Sequence, residues 1–290
     1  MTAPDKTEMK RRIMSFKIVA DSSADLLSLN GVDFASVPLT IMAGDHTYVD
    51  DATLDPGQMM AELATYKGRS STACPNPDAY REAFGEADEV AVVTITSGLS
   101  GSYNASEIAK ADYEKAHPER CVLTVDSLSA GPEMLLLIEK LAEMHDQGLN
   151  VDEMAPAIEA YRQTTHLVFA LETLRSLVNN GRVSPAVAAV AGLLNIRIVG
   201  IASEVGTLQP VAKCRGEKRT LDGMLNTMRE HGFSGGKVRI SHCQNEKAAG
   251  ILADQILAQW PQTDIQIYPC RGLCSYYAEV GGMLVGYEGA

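Results

Sequence analysis

Short apolar runs, each ended by small polar residues and followed by a helix-like segment, set the pattern of this chain. Phe16-Lys17-Ile18-Val19-Ala20 reads as a first strand, closed by Asp21-Ser22-Ser23-Ala24-Asp25, a polar run suited to a strand-to-helix turn. Val37-Pro38-Leu39-Thr40-Ile41 reads as a second short strand, and a helix is expected over 56–66. A polar loop over 70–77, stiffened by Pro75 and Pro77, precedes a helix over 78–84. The apolar run Val90-Ala91-Val92-Val93 leads into Thr94-Ile95-Thr96-Ser97-Gly98-Leu99-Ser100-Gly101-Ser102-Tyr103 and then a helix. Cys121-Val122-Leu123-Thr124-Val125 is the next strand, closed by Asp126-Ser127, with helices over 132–145 and 151–162.

A second half opens with the strand Leu167-Val168-Phe169-Ala170-Leu171. A helix over 173–178 ends at Asn179-Asn180-Gly181, where glycine supplies a left-handed cap, and an apolar helix is expected over 185–194. The strands at 196–201 and 209–213 form a hairpin about Gly206-Thr207. Helices over 217–231 and 246–260 alternate with strands at 237–241 and 264–268, and a last strand covers 282–287.

Continuous apolar strands with polar turns between strand and helix predict parallel sheets covered on both faces. The expected class is therefore α/β: two α/β domains with mostly parallel sheets, over residues 16–164 and 165–290. Ligands of such sheets sit at the carboxyl ends of the strands. The runs at 21–23, 97–102 and 126–127 each follow a strand and so share one edge. The Gly/Ser turn gathers backbone N–H groups at a helix start, together with the hydroxyls of Thr96, Ser97, Ser100 and Ser102. It can seat an anion, or serve only as a tight turn and N-cap.

Composition narrows the partners. The 290 residues carry a formal charge of −12, which argues against nucleic acid or an anionic membrane as a broad-surface partner. The longest apolar stretch is far too short to span a bilayer, and the polar N-terminus lacks the apolar region of a signal peptide, so no integral membrane segment and a cytoplasmic location are expected. The six cysteines are scattered without ligand spacing, which suits reduced thiols and no metal. One basic cluster, Lys213, Arg215, Lys218 and Arg219, and the isolated Arg182 offer a local positive rim for a phosphate, a carboxylate or an acidic partner, or are simply solvated.

The residues carry one partial catalytic motif. Gly98-Leu99-Ser100-Gly101 is close to a nucleophile elbow, but that motif ends in Gly where Ser102 stands. A serine hydrolase of esters or acyl phosphates would pair Ser100 with His242, the histidine best placed after a strand. A nucleotide loop of either glycine-rich type is absent from the sequence.

The ordered motifs resemble the DegV family of bacterial fatty-acid-binding proteins, the binding subunits of fatty acid kinase. The resemblance runs from about Phe16 to Tyr287. It is carried by the 19–26 run, Val37-Pro38-Leu39, Ser71-Thr72, Ser97-Gly98-Leu99-Ser100-Gly101-Ser102-Tyr103 and Val125-Asp126-Ser127. It continues in Gly181-Arg182-Val183-Ser184, Leu194-Asn195-Ile196-Arg197 and the Lys213-to-Lys218 segment. What it implies is a two-domain α/β carrier without catalysis or cofactor. One long-chain fatty acid lies in a buried apolar tunnel, its carboxylate at the domain junction. A separate ATP-dependent kinase subunit phosphorylates that carboxylate to an acyl phosphate.

Position by position, the head group falls to Thr72 and Ser100, with Ser97 and Gly101 in the same turn, while Arg182 and Arg215 match family arginines near the head group or the kinase-docking face. Lys213, Arg215 and Lys218 are the expected contact for phosphate or kinase. One departure stands out. Where many family members place a histidine in a His-x-Gly-Pro-Gly run, this chain has Tyr277 within Tyr276-Tyr277-Ala278-Glu279-Val280-Gly281-Gly282. Tyrosine can donate a hydrogen bond to a carboxylate but brings no positive charge near neutral pH.

Overall fold

The computed structural model describes residues 14–183 and 196–289. The apolar helix expected over 185–194 lies outside the described residues.

Along the chain, β1 (Phe16–Asp21) is followed by a 3-10 turn (Ser22–Ala24), β2 (Asp33–Val37), β3 (Thr40–Ala43), β4 (His46–Val49), α1 (Pro56–Thr65) and β5 (Ser70–Ala73). Then come α2 (Pro77–Phe84), β6 (Glu89–Thr94), α3 (Ser102–Ala116), β7 (Cys121–Asp126), α4 (Pro132–Asp146) and α5 (Val151–Arg162). The rest supplies β8 (Thr165–Leu171), α6 (Arg175–Asn179), β9 (Ile196–Ala202), β10 (Leu208–Arg215) and α7 (Glu217–Glu230). The last elements are β11 (Lys237–His242), α8 (Glu246–Leu257), β12 (Asp264–Pro269), α9 (Gly272–Ala278) and β13 (Met283–Glu288).

The first sheet is parallel throughout, in the order β2-β1-β6-β7. Its strands read as unbroken apolar runs because alternate side chains enter two different cores. Val19, Val90 and Val92 pack under α2 and α3 with Tyr80 and Phe84, whereas Ile18, Ala91 and Val93 pack under α4 and α5 with Leu137 and Leu141. The order places the carboxyl ends of β1 and β6 side by side, where the chain leaves toward opposite edges of the sheet. Such a divergence opens a crevice.

The second sheet, β10-β9-β8-β13-β11-β12, departs from the expected mostly parallel pairing. Only β11 and β12 run parallel; the other neighbours are antiparallel. The strand that makes the difference is β13, which returns from the end of the chain into the middle of the sheet.

Three local readings also change. The run from Val37 to Ile41 is split: β2 ends at Val37, Pro38 has no N–H for the ladder, and Thr40 opens β3 in a separate sheet of order β4-β3-β5. The polar loop over 70–77 begins as β5, an edge strand paired to β3, which its small hydroxyl residues did not advertise. The helix α9 was not expected at all, because its first turn is held by side chains from the other end of the chain.

Helix α4 lies between the two large sheets. Met134, Leu137 and Ile138 belong to the core under the first sheet. Its first turn rests directly on β13, since a Cβ added at Gly286 would come within 2.5 Å of the Pro132–Glu133 backbone. Polar groups complete the second contact. Arg239, only 2% exposed, forks onto both Glu139 oxygens at 2.8 Å and onto Asp264 at 2.8 Å. Glu133 is buried beside β8 and accepts the Thr165 hydroxyl at 2.9 Å. Burial pushes the Glu133 carboxyl up to about 7.

The folded protein therefore holds a proton on Glu133 that the unfolded chain releases near its ordinary value of 4.5. The stability contributed by that proton is complete below pH 4.5 and is lost as pH rises through about 7. Glu133→Gln should leave urea stability nearly unchanged at pH 4 and raise it relative to the parent at pH 8. Equal differences at both pH values would show that Glu133 is not buried as an acid.

Candidate functional site

The turn after β6 is shaped by carboxylates from its two neighbouring strands. Asp21, at the end of β1, accepts the Ile95 N–H at 2.8 Å and the Ser23 N–H at 3.2 Å. Asp126, at the end of β7, accepts the Ser97 N–H at 3.1 Å. Thr96 is pinned further: its N–H donates to the Ser129 carbonyl at 2.8 Å, and its hydroxyl oxygen accepts the Gly98 N–H at 3.0 Å. The three polar strand ends do share one edge.

From the second sheet, the tip of the β9–β10 hairpin closes on this turn. A Cβ at Gly98 would lie 2.7 Å from the Val205 carbonyl oxygen, and Gly206, at φ +71, has room only for hydrogen against Thr96. At the helix side, the N-cap of α3 is Gly101, which has no side chain to accept from the first turn. The Ser102 N–H donates instead to the Ser100 hydroxyl at 3.3 Å, which places Ser100 at the positive end of a 15-residue helix.

Below the turn lies a cavity of about 310 Å³. From the first half of the chain its walls include Leu39, Ile95, Leu99 and Ala130. The inner face of the second sheet adds Leu167, Phe169, Leu171 and Leu284, and α9 adds Leu273, Cys274 and Ala278. Hydroxyls and a cation gather on the same cavity: Thr72 from β5, Ser100 and Gly101 from the turn, Arg182 after α6, and Tyr277 from α9. The Thr72 and Tyr277 hydroxyls share a hydrogen bond of 2.8 Å. Arg182 donates from Nε to the Leu99 carbonyl at 3.1 Å and from Nη1 to the Asn180 carbonyl. Burial raises the Tyr277 hydroxyl above its ordinary pKa of 10, against smaller lowering by Thr72 and Arg182, so it stays a neutral donor at physiological pH.

Of the residues singled out in the sequence, Thr72, Ser100, Gly101, Arg182 and Tyr277 are thus brought together. Ser97 is not: it is exposed, and its backbone serves Asp126 rather than the cavity. Lys213, Arg215 and Lys218 are exposed at the end of β10 and the start of α7, away from the cavity lining. The hydrolase pair is not assembled. Ser100 Oγ pairs with Ser102 Oγ at 3.1 Å, while His242 ends β11 in the other sheet, accepts the Asn245 N–H at its Nδ1 and does not line the cavity.

The groups that hold this arrangement are not marked in the sequence. Tyr276 shares a hydrogen bond with Ser70 at 2.7 Å and accepts Asn180 Nδ2 at 2.8 Å, directly beside the Tyr277 ring. The spacing of Ser70 and Thr72 matched to consecutive tyrosines is a signal only once α9 is known to face β5. The described cysteines are all free, and among the described residues no group of three or more His, Cys, Asp or Glu is placed to hold a metal ion. No helix among them is long and apolar enough to cross a membrane.

The fold and the site define a class: an α/β protein of two large sheets that enclose an apolar cavity with a polar rim at the carboxyl edge of the parallel sheet. The chain belongs to the DegV family, described as uncharacterised, whose pattern matches residues 15–288. A DegV domain-containing protein of Streptococcus pneumoniae is 45% identical over 279 residues, which cover 95% of this chain and 99% of that protein. Among solved structures, a DegV family protein from Eubacterium eligens loaded with heptadecanoic acid is 44% identical, with a TM-score of 0.93 over 95% of this chain and 100% of that one. The Streptococcus pneumoniae Fatty Acid Kinase (Fak) B3 protein loaded with linoleic acid is 45% identical, with a TM-score of 0.94 over 96% of this chain and 100% of that one.

The contact between turn and hairpin predicts a specific sensitivity. Gly98→Ala drives a methyl into the Val205 carbonyl and should lower stability to urea by about 1–3 kcal/mol. Gly250→Ala, in open space on α8, should instead raise it by roughly 0.5–1 kcal/mol. Equal effects of the two substitutions would rule out the interlock.

Proposed function

We propose that this chain binds one long-chain fatty acid and presents its carboxylate to a separate ATP-dependent kinase subunit, which forms the acyl phosphate. The observation that carries the reading is the cavity itself. Its walls are aliphatic and aromatic, and its polar groups converge from four separate elements at one rim. Its volume of about 310 Å³ lies at the lower end of the range for small-molecule sites. Relatives at 44–45% identity carry heptadecanoic and linoleic acid, which supports the same ligand class here.

The head group is held by the hydroxyls of Thr72, Ser100 and Tyr277, the backbone at Gly101 and the guanidinium of Arg182. Charge-assisted hydrogen bonds from these neutral donors and from the guanidinium keep the carboxylate ionised. The tail lies against Phe169, Leu171 and Leu284, at about 0.8 kcal/mol per buried methylene. Lys213, Arg215 and Lys218 form the basic surface offered to the kinase or to the incoming phosphate, and the protein works in the cytoplasm without a cofactor. The name of the Streptococcus pneumoniae Fak B3 protein supports the pairing with a kinase. The division of labour follows residues 16–164 and 165–290 as two domains with the ligand at their junction.

Mass spectrometry of ligand extracted from protein made in cells should recover a long-chain acyl species. Absence of such a species, together with failure of the purified protein to take up fatty acid, overturns the reading. Ser100→Ala should weaken fatty-acid binding by roughly 1.5–3 kcal/mol, the worth of a hydrogen bond to a charged group. Calorimetric titration showing unchanged affinity would remove Ser100 from the site.

A further inference from the structure

Helix α9 has seven residues and opens with glycine, so its own sequence cannot hold it in place. Its first turn is seated by groups more than 200 residues earlier. Asp50, fully buried after β4, accepts the Gly272 N–H at Oδ1 and the Leu273 N–H at Oδ2, both at 2.9 Å. Asp25 accepts the preceding Arg271 N–H at 2.7 Å. The approach is too close for any side chain at position 272, where a Cβ would lie 2.7 Å from the Asp50 carboxyl and 2.5 Å from Leu54.

Asp50 is itself fixed. Its N–H donates to the Leu39 carbonyl at 2.9 Å, and the Leu39 N–H donates to Ser22 Oγ at 3.0 Å, which ties it to the loop after β1. At its far end, α9 is held by the Tyr276–Ser70 and Tyr277–Thr72 hydroxyl pairs. Tyr277 stands five residues beyond Gly272, about 7.5 Å along the axis at 1.5 Å per residue. A shift of the first turn is therefore carried to its hydroxyl, and a site of this kind tolerates only about 0.5 Å of displacement.

We propose that Asp50 is a positioning residue for the cavity rim: its carboxylate seats the first turn of α9 and so aims the Tyr277 hydroxyl at Thr72 and at the bound head group. This rests on the reading of the cavity as a fatty-acid site. Asp50 touches no ligand and acts through α9. The charge and the shape both matter, because an amide at this position can accept one of the two backbone N–H groups but would oppose the other with its own donors.

The test is a linoleic acid titration of the parent, Asp50→Asn, Tyr277→Phe and the double variant. Each single substitution should lower affinity about tenfold, and the double should be little weaker than Tyr277→Phe alone. Losses that multiply would show that Asp50 does not act through Tyr277, and the proposal would fall. A second readout needs no ligand: with tyrosine labelled at 13Cζ, the Tyr277 signal should move in Asp50→Asn while that of Tyr113, on the far side of the first sheet, stays. An unmoved Tyr277 signal overturns the proposal whatever the affinities. If Asp50→Asn does not fold, Gly272→Ala presses on the same contact with the charge kept and should give the same two results. A parent protein that fails to bind linoleic acid overturns the fatty-acid reading alone, and the labelled tyrosine then decides the role of Asp50.

Discussion

The buried carboxyl of Asp21 is the constraint on which the site's geometry depends. It sits where β1 ends and reaches across to the backbone of Ile95 after β6, so the two loops that diverge at the sheet edge leave from a fixed point. Desolvation pushes this carboxyl up to about 6, against the lowering effect of its hydrogen bonds. Its position costs solvation and returns order: the turn from Thr96 to Gly101 has one available course, between the β7 loop and the β9–β10 hairpin. Ser100 faces the cavity and Ser97 faces solvent because of that course, not because of any difference in their chemistry.

The large sheets were legible where burial is two-sided. In β1 and β6, adjacent residues enter opposite cores, so an apolar run has no competing explanation. Elements defined by distant partners were not legible. Ser70-Ser71-Thr72-Ala73 becomes a strand only because β3 offers an edge, and α9 becomes a helix only because Asp25 and Asp50 supply its first acceptors. Nothing in the sequence distinguishes Asp50 from Asp51, yet one is fully buried and the other is on the surface side of the same turn, accepting from Thr53. The site inherits this division. Ser100 could be placed from its strand and turn, whereas the meeting of Thr72, Arg182 and Tyr277 is a property of the packed molecule.

Tyr277 sets the electrostatics of the rim as a neutral group, at the position where the resemblance to the family leads to the expectation of a histidine. A histidine would titrate near neutral pH and couple head-group affinity to it. The tyrosine remains a neutral donor over the whole physiological range, leaving Arg182 as the cation at the cavity among the described residues. Arg182 is itself held by two backbone carbonyls, so its planar guanidinium is oriented before any ligand arrives.

An acidic protein of net charge −12 is an unexpected host for a carboxylate. Two effects reconcile the charge with the proposed ligand. Surface acids act weakly at a distance, because salt screens them within roughly 8 Å at physiological ionic strength. Some buried acids carry less than a full charge, as with Asp25, pushed up to about 7 by burial and by the neighbouring Asp50. The same burial that makes these carboxyls costly thereby reduces their repulsion of another carboxylate. The local field at the rim is then set by the α3 N-terminus, the hydroxyls and Arg182, while the net charge of the whole molecule governs its solubility and its long-range encounters.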